Sequence, residues 1–243
     1  MNRFDLAIVE LFSQSRLHPH WLHQFVEECV AGNDLLKGGL LLAVLWWLWM
    51  EPHPEQARRR ELIVVAIIAA MIAAALSRAF ANLVPFRARP FSTPGLRLEV
   101  PPARLFDLKG GSFPSDHMAL AFALVTGVFF IRRRVGVALA AYVLLAVGLP
   151  RMYLGIHWAT DIIGGTLLGI AVASLLGAAR IRSALTAPLF RRMQASPGVF
   201  YACMFLVSFG LMTRFDSFRV LASWSAHGTA DVAKTVAHRL SSQ

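Results

Sequence analysis

The chain has 243 residues, 56% of them hydrophobic and only 16% charged, with a formal net charge of +10. A soluble domain of this length carries about a quarter charged residues, and here the apolar residues fall in runs, so the composition excludes an ordinary water-soluble domain and indicates several membrane spans. The basic excess would point to nucleic acid in a soluble protein. Its arginines lie between apolar runs instead, so topology and anionic lipid account for them and no nucleic-acid partner is expected.

Residues 1–34 read as an amphipathic interfacial segment. Phe4, Leu6, Ile8, Val9, Leu11 and Phe12 interleave with Asp5, Glu10 and Ser13, and Trp21, Leu22, Phe25 and Val26 follow the break at Pro19. His18, His20 and His23 are read as interfacial residues rather than a metal cluster. The first residues lack the clean apolar core of a cleavable signal peptide. Spans are expected at about 35–50, 62–84, 114–131, 135–149, 158–179 and 197–213, giving an all-α polytopic bundle of about six transmembrane helices over residues 35–213. The remainder, 214–243, reads as an amphipathic or flexible tail through Val232, Val236 and Leu240. Cys29 and Cys203 lie in unrelated segments with neither a disulfide framework nor a metal-type spacing.

The loops sort by charge. Residues 51–61, 132–134 and 180–192 are short and arginine-dense, which predicts a cytoplasmic location. Residues 85–114 and 150–157 then share the opposite face, yet keep Arg87, Arg89 and Arg151. Cations on the wrong side for topology suggest another task, and anion binding is the simplest.

Three polar stretches carry that idea. In Arg151–Asp161 a guanidinium, an imidazole and a carboxylate fall within eleven residues. If the helix starts near His157, then His157 and Asp161 stand at i and i+4 on one face, so the carboxylate holds one imidazole nitrogen and leaves the other to attack. Arg151, on the preceding loop, offers a planar fork to an anion. In Phe86–Phe91, Pro90 stops any helix and holds Arg89 extended, so Arg87 and Arg89 form an anion clamp or snorkel at a helix end. In Gly110–His117, Ser115 caps a helix while its hydroxyl and the first-turn amides face an anion, and His117 is placed to pass a proton.

With these stretches in view, residues 35–180 resemble the type 2 phosphatidic acid phosphatase superfamily of integral membrane lipid phosphatases. Its three motifs are Lys-x6-Arg-Pro, Pro-Ser-Gly-His and Ser-Arg-x5-His-x3-Asp. The third stands here as Pro150-Arg151-x5-His157-x3-Asp161, the second as Pro114-Ser115-Asp116-His117, and the first as Arg89-Pro90 with Asn82 at the lysine position. The departures are Asn82, whose charge either Arg87 or Arg78 replaces with Arg87 the nearer; Asp116, whose carboxylate repels phosphate unless turned away; and Pro150 in place of serine.

The resemblance implies attack by His157 on phosphorus to give a phosphohistidine, with Asp161 orienting it. Arg89, Arg151, Ser115 and the Asp116 amide, with Arg87 in addition, would hold the phosphoryl oxygens, and His117 would protonate the leaving oxygen and then activate water. Arginines supply the positive charge, so no metal or cofactor is expected. The substrate expected is a lipid (di)phosphate on the non-cytoplasmic face of a bacterial inner membrane, with an isoprenyl diphosphate such as undecaprenyl diphosphate first. Phosphatidic acid, phosphatidylglycerol phosphate and lipid A phosphate stay open. The competing readings are a soluble acid phosphatase or haloperoxidase with the same pocket, and a transport-type or non-catalytic protein that binds anionic headgroups. Gly165 and Gly169 form a small-xxx-small pair, read as close helix packing or dimerisation.

Overall fold

The computed structural model describes residues 2–14, 20–96, 98 and 110–213, and among them there are helices and no strands. In chain order these are α1 (Arg3–Gln14), α2 (His20–Gln24), α3 (Leu40–Met50), α4 (Gln56–Leu83), α5 (Asp116–Ile131), α6 (Arg133–Val143), α7 (Leu149–Tyr153), α8 (Ala159–Gly177), α9 (Ala179–Ala195) and α10 (Pro197–Met212). Wide π turns at Phe25–Ala31, Leu35–Gly39 and Leu144–Gly148 continue α2, lead into α3 and join α6 to α7. The expected tail at 214–243 and His18 lie outside the described residues.

The centre is α4, α5 and α8, with α5 packed most extensively of all on α4 and α8. Small side chains let the backbones approach. Ala69, Ala70 and Ala73 of α4 and Ala119 and Ala123 of α5 are fully buried. Gly165 and Gly169 of α8 lie against α5, where an added Cβ would run into the carbonyl oxygens of Ser115 and Ala119. The glycine pair thus serves packing within the chain.

Among the described residues, three helical stretches are long and apolar enough to cross a membrane: Gln56–Leu83, Arg133–Tyr153 and Ala159–Gly177. A fourth arises if Trp21–Ala31 and Leu35–Met50, bent by 50°, count as one. Helices α5 and α10 are apolar but have 16 residues each, about 24 Å against a hydrocarbon core of about 30 Å. Large apolar side chains project outward around the bundle, among them Leu83, Leu145, Leu167 and Phe205, each more than 60% exposed. Such a band belongs in lipid, and the chain is a helical membrane protein.

The structure alters three sequence expectations. The run at 135–149 continues through the π turn to Tyr153, so Arg151 lies inside α7 rather than on a loop. The arginine-dense stretch 180–192 is helical, within α9. Helix α8 begins at Ala159, after His157 rather than at it. Expected loops become helical where their apolar residues find a bundle surface, a gain that local composition does not register.

Connections alternate between two ends. At one end Glu51 bonds Arg59 (2.9 Å) and Arg132 (3.4 Å), and Glu61 bonds Arg182 (2.9 Å). Arg60 and Arg132 stack over Trp49 and Trp47. The other end carries the three motif stretches.

Candidate active site

The first motif loop and the loop after α7 are stitched together. Phe91 N–H donates to the Gly155 carbonyl (3.1 Å), the Arg89 guanidinium to the Ile156 carbonyl (3.0 Å) and the Trp158 indole to the Ala88 carbonyl (2.8 Å). Gly155 sits at φ +66° where an added Cβ would press on Phe91, so the turn that delivers Ile156 and His157 requires glycine. The segment before α5 is tied in as well. Ser77 of α4 donates to the Pro114 carbonyl (2.9 Å), and Ser115 N–H donates to the Asp161 carbonyl (3.1 Å). Three motifs distant in sequence therefore meet at one end of the bundle.

His157 is buried, with 4% of its surface exposed. Its Nδ1 lies 2.9 Å from the Ser112 carbonyl oxygen and 3.5 Å from Asp161 Oδ2. A carbonyl only accepts, so Nδ1 carries the hydrogen and, in the neutral ring, Nε2 keeps its lone pair. The nearer holder of the ring is thus a backbone carbonyl, with Asp161 behind it. Burial pushes the imidazole below its ordinary value of 6.5; the bond to Asp161 works the other way, and the nearby Arg89 and Arg151 cations add to the depression. The shift favours the neutral form of the ring. Arg151, 2% exposed, accepts at its carbonyl from the N–H groups of Ile156 and His157.

Arg87 has protein partners on both of its terminal nitrogens. Expected among the phosphate ligands, its guanidinium bonds Asp5, the Thr160 hydroxyl (2.9 Å) and Asp161 (2.6 Å). Two buried carboxylates capture the cation, because each would otherwise stand in low dielectric without a counter-charge. Asp161 also accepts from Trp158 N–H (2.8 Å).

Sequence reasoning missed two parts of this arrangement. Asp5 of α1 is fully buried and also takes the Thr160 N–H (3.0 Å) and hydroxyl (2.8 Å), which pins α1 to the start of α8. An aspartate among Phe4, Leu6, Val9 and Phe12 was the available signal. The Ser112 carbonyl left none, since a backbone oxygen has no residue identity.

At the start of α5, Ser115 caps the helix by backbone alone. Its hydroxyl is buried and has no hydrogen-bond partner among the described residues. The Asp116 carboxylate is turned onto the protein: Oδ1 takes the His117 N–H (2.8 Å) and faces His117 Nδ1 (2.7 Å), and Oδ2 takes Arg78 (3.1 Å). His117, Asp116, Arg78 and Lys37 form the polar end of a cavity of about 270 Å³. Leu120, Val147 and Leu211 line the rest. Among the described residues, no three His, Cys, Asp or Glu side chains gather in an arrangement fit to hold a metal ion.

Two imidazoles, the buried Arg151 and the half-buried Arg87 and Arg89 thus gather at one end of a helical membrane bundle, with a largely apolar cavity beside His117. Residues 60–182, about half of the chain, match the PAP2 superfamily, and the chain belongs to it. It is a membrane phosphatase of that superfamily. It is 29% identical over 164 residues to YbjG of Escherichia coli (strain K12), named as a candidate undecaprenyl-diphosphatase, covering 67% of this chain and 76% of that one. It is 32% identical over 94 residues to the undecaprenyl-diphosphatase BcrC of Bacillus subtilis (strain 168), covering 39% and 46%. The crystal structure of Aquifex aeolicus LpxE matches at 24% identity over 70% of this chain and 92% of that chain, with a TM-score of 0.49.

Proposed function

We propose that the protein removes a phosphate from an isoprenyl diphosphate of the undecaprenyl type, through a phosphohistidine on His157. The observation that carries this reading is the Nδ1 contact to Ser112, which turns the lone pair of a buried neutral ring toward chemistry. Nε2 attacks phosphorus, an N–P bond forms and the bridging O–P bond breaks. The leaving oxygen takes the electron pair and a proton from His117. Water then attacks phosphorus and gives a proton back to His117 as the N–P bond breaks. Arg89, Arg151, the Ser115 hydroxyl and the Asp116 amide hold the phosphoryl oxygens, and their fixed charge and dipoles take the place of a metal. Arg87 acts behind them, holding Asp161.

The cavity beside His117 supports the substrate assignment. A group leaving toward His117 enters a space with Arg78 and Lys37 at its polar end and apolar walls beyond. A lipid monophosphate with a hydrocarbon tail matches that order, and the relatives named for undecaprenyl diphosphate point the same way. The chain crosses the bilayer six times, by α3, α4, α5, α6 with α7, α8 and α10. The arginine-dense end is cytoplasmic and the site faces the opposite side of a bacterial inner membrane.

The test is phosphate release by detergent-purified protein, with EDTA present, from undecaprenyl diphosphate, phosphatidic acid and lipid A. Release from the diphosphate first among these is expected. Lipid binding without release, or a rate that collapses in EDTA and returns with a divalent ion, would overturn the proposal.

A further inference from the structure

Two departures from the superfamily pattern lie on separate helices, and the structure joins them. Asn82 occupies the position of the motif lysine, so α4 lacks that cation. One helical turn earlier, at i−4 and hence on the same face, α4 carries Arg78. Asp116 occupies the glycine position of the second motif, at the first residue of α5. Arg78 Nη2 meets Asp116 Oδ2 at 3.1 Å, and the other carboxylate oxygen holds both the backbone N–H and the ring Nδ1 of His117. With glycine at this position the ring would have no carboxylate there.

We infer that Asp116, with Arg78 as its counter-cation, is a positioning residue for His117: it fixes Nδ1 as the protonated nitrogen and directs Nε2 at the leaving oxygen. This rests on the role proposed for His117 above. An ionised carboxylate accepts only, so the 2.7 Å contact makes Nδ1 the donor and leaves Nε2 to carry the transferred proton. The oxygen that also takes the His117 N–H cannot swing away without breaking two bonds, so ring orientation is tied to the helix start. Arg78 holds the second oxygen and stops the carboxylate from turning toward the phosphoryl group, where it would repel the substrate. Arg78 and Asp116 thus form one pair: a cation one turn before the motif lysine position holds the carboxylate that stands at the motif glycine position.

Charged and titratable groups that face His117 come from several elements. Among the described residues they include Asp116 on α5, Arg78 on α4 and Lys37 on the π turn before α3, which line the same cavity, and His157 beyond Asp116. Val147, from the π turn after α6, and Leu211 and Met212 of α10 add no charge.

Asp116→Asn keeps the shape and removes the negative charge. A group that must be protonated to act then loses its proton at lower pH, so the basic limb of the kcat profile moves to lower pH. The expected loss in kcat is about tenfold or more, a fraction of the about 10²- to 10⁴-fold of general acid catalysis, with KM little changed. Arg78→Gln moves the basic limb the other way, because the Asp116 charge is then less offset. A second readout needs no turnover: nitrogen NMR of labelled histidine in detergent, with the His117 signal assigned by its loss in His117→Ala. Wild type should show His117 protonated at Nδ1 in its neutral form, and Asp116→Asn should shift both that tautomer and the titration midpoint downward. An unchanged His117 spectrum in Asp116→Asn overturns the inference whether or not phosphate is released. Wild-type protein without phosphate release, but with the spectral shift, rejects the enzymatic role of His117 and keeps the positioning. If Asp116→Asn does not fold, Asp116→Glu and Arg78→Gln are read by the same spectra, and signals identical to wild type in both overturn it.

Discussion

The two ends of the bundle use arginine differently. At the arginine-dense end the cations answer to nearby acids and rings: Arg59 and Arg132 to Glu51, Arg182 to Glu61, Arg60 to Trp49. In these pairs the carboxylates of Glu51 and Glu61 keep about a quarter of their side chains in solvent, 29% and 26%, and the Arg132 guanidinium is half exposed, so water weakens the attraction. At the site end, Arg89 and Arg151 stand close enough to a buried imidazole to depress its proton affinity, and Arg87 is clasped by two fully buried carboxylates. The same residue type therefore ties connecting segments together at one end and surrounds a buried imidazole and carboxylate at the other. Burial of the carboxylates makes the difference, 0% exposed for Asp5 and Asp161 against more than a quarter for Glu51 and Glu61, because the charge interaction grows as water is excluded.

The comparison predicts large losses from changes at the site end and small ones at the other. His157→Ala should lower phosphate release by about 10⁴-fold or more without altering thermal unfolding in detergent; residual turnover near wild type would break the contrast at its centre. Arg151→Lys keeps the charge and loses the planar fork, and should cost about 10²-fold in kcat/KM, as for loss of one oxyanion donor. A full-rate lysine variant would mean that charge alone suffices.

The pH dependence follows from His157. Its proton affinity is lowered from 6.5, so the nucleophile stays neutral through neutral pH and the acid limb of kcat/KM should lie below 6.5. Below the limb each pH unit should cost about tenfold, because one proton blocks the attacking nitrogen. The linkage has the same sign: the unfolded chain takes up that proton first, so stability from the neutral ring is present above 6.5 and is lost as pH falls below it. An acid limb above 6.5 would contradict the buried, arginine-flanked setting.

Asp5→Asn sharpens the comparison by removing a charge that sequence alone assigned to an interfacial helix. It should lower stability by about 1–3 kcal/mol, seen as a lower Tm, and reduce kcat as Arg87 and Asp161 lose their registry. Arg182→Gln should have the smallest effect, about 1 kcal/mol with wild-type kcat, because its part-buried pair with Glu61 lies at the end of the bundle away from the three motifs.

Arg89 and Arg151 lie where the motif spacing places them. Arg87, two residues from Arg89, also bonds Asp5, 82 residues away in sequence. Spacing reads neighbours on one helix or turn, as with His157 and Asp161, and carries no information on such distant partners.

By itself the amino-acid order determined that the chain is helical and membrane-embedded, since long apolar runs have no other stable place to go. It also determined the order and identity of the three motifs. Only the tertiary structure decided that a Ser112 carbonyl holds His157, that Asp5 and Arg87 stand behind Asp161, and that Arg78 and Asp116 act as one unit. Those partners are long-range or have no side-chain identity, and their strength depends on burial, which exists only once the helices have packed.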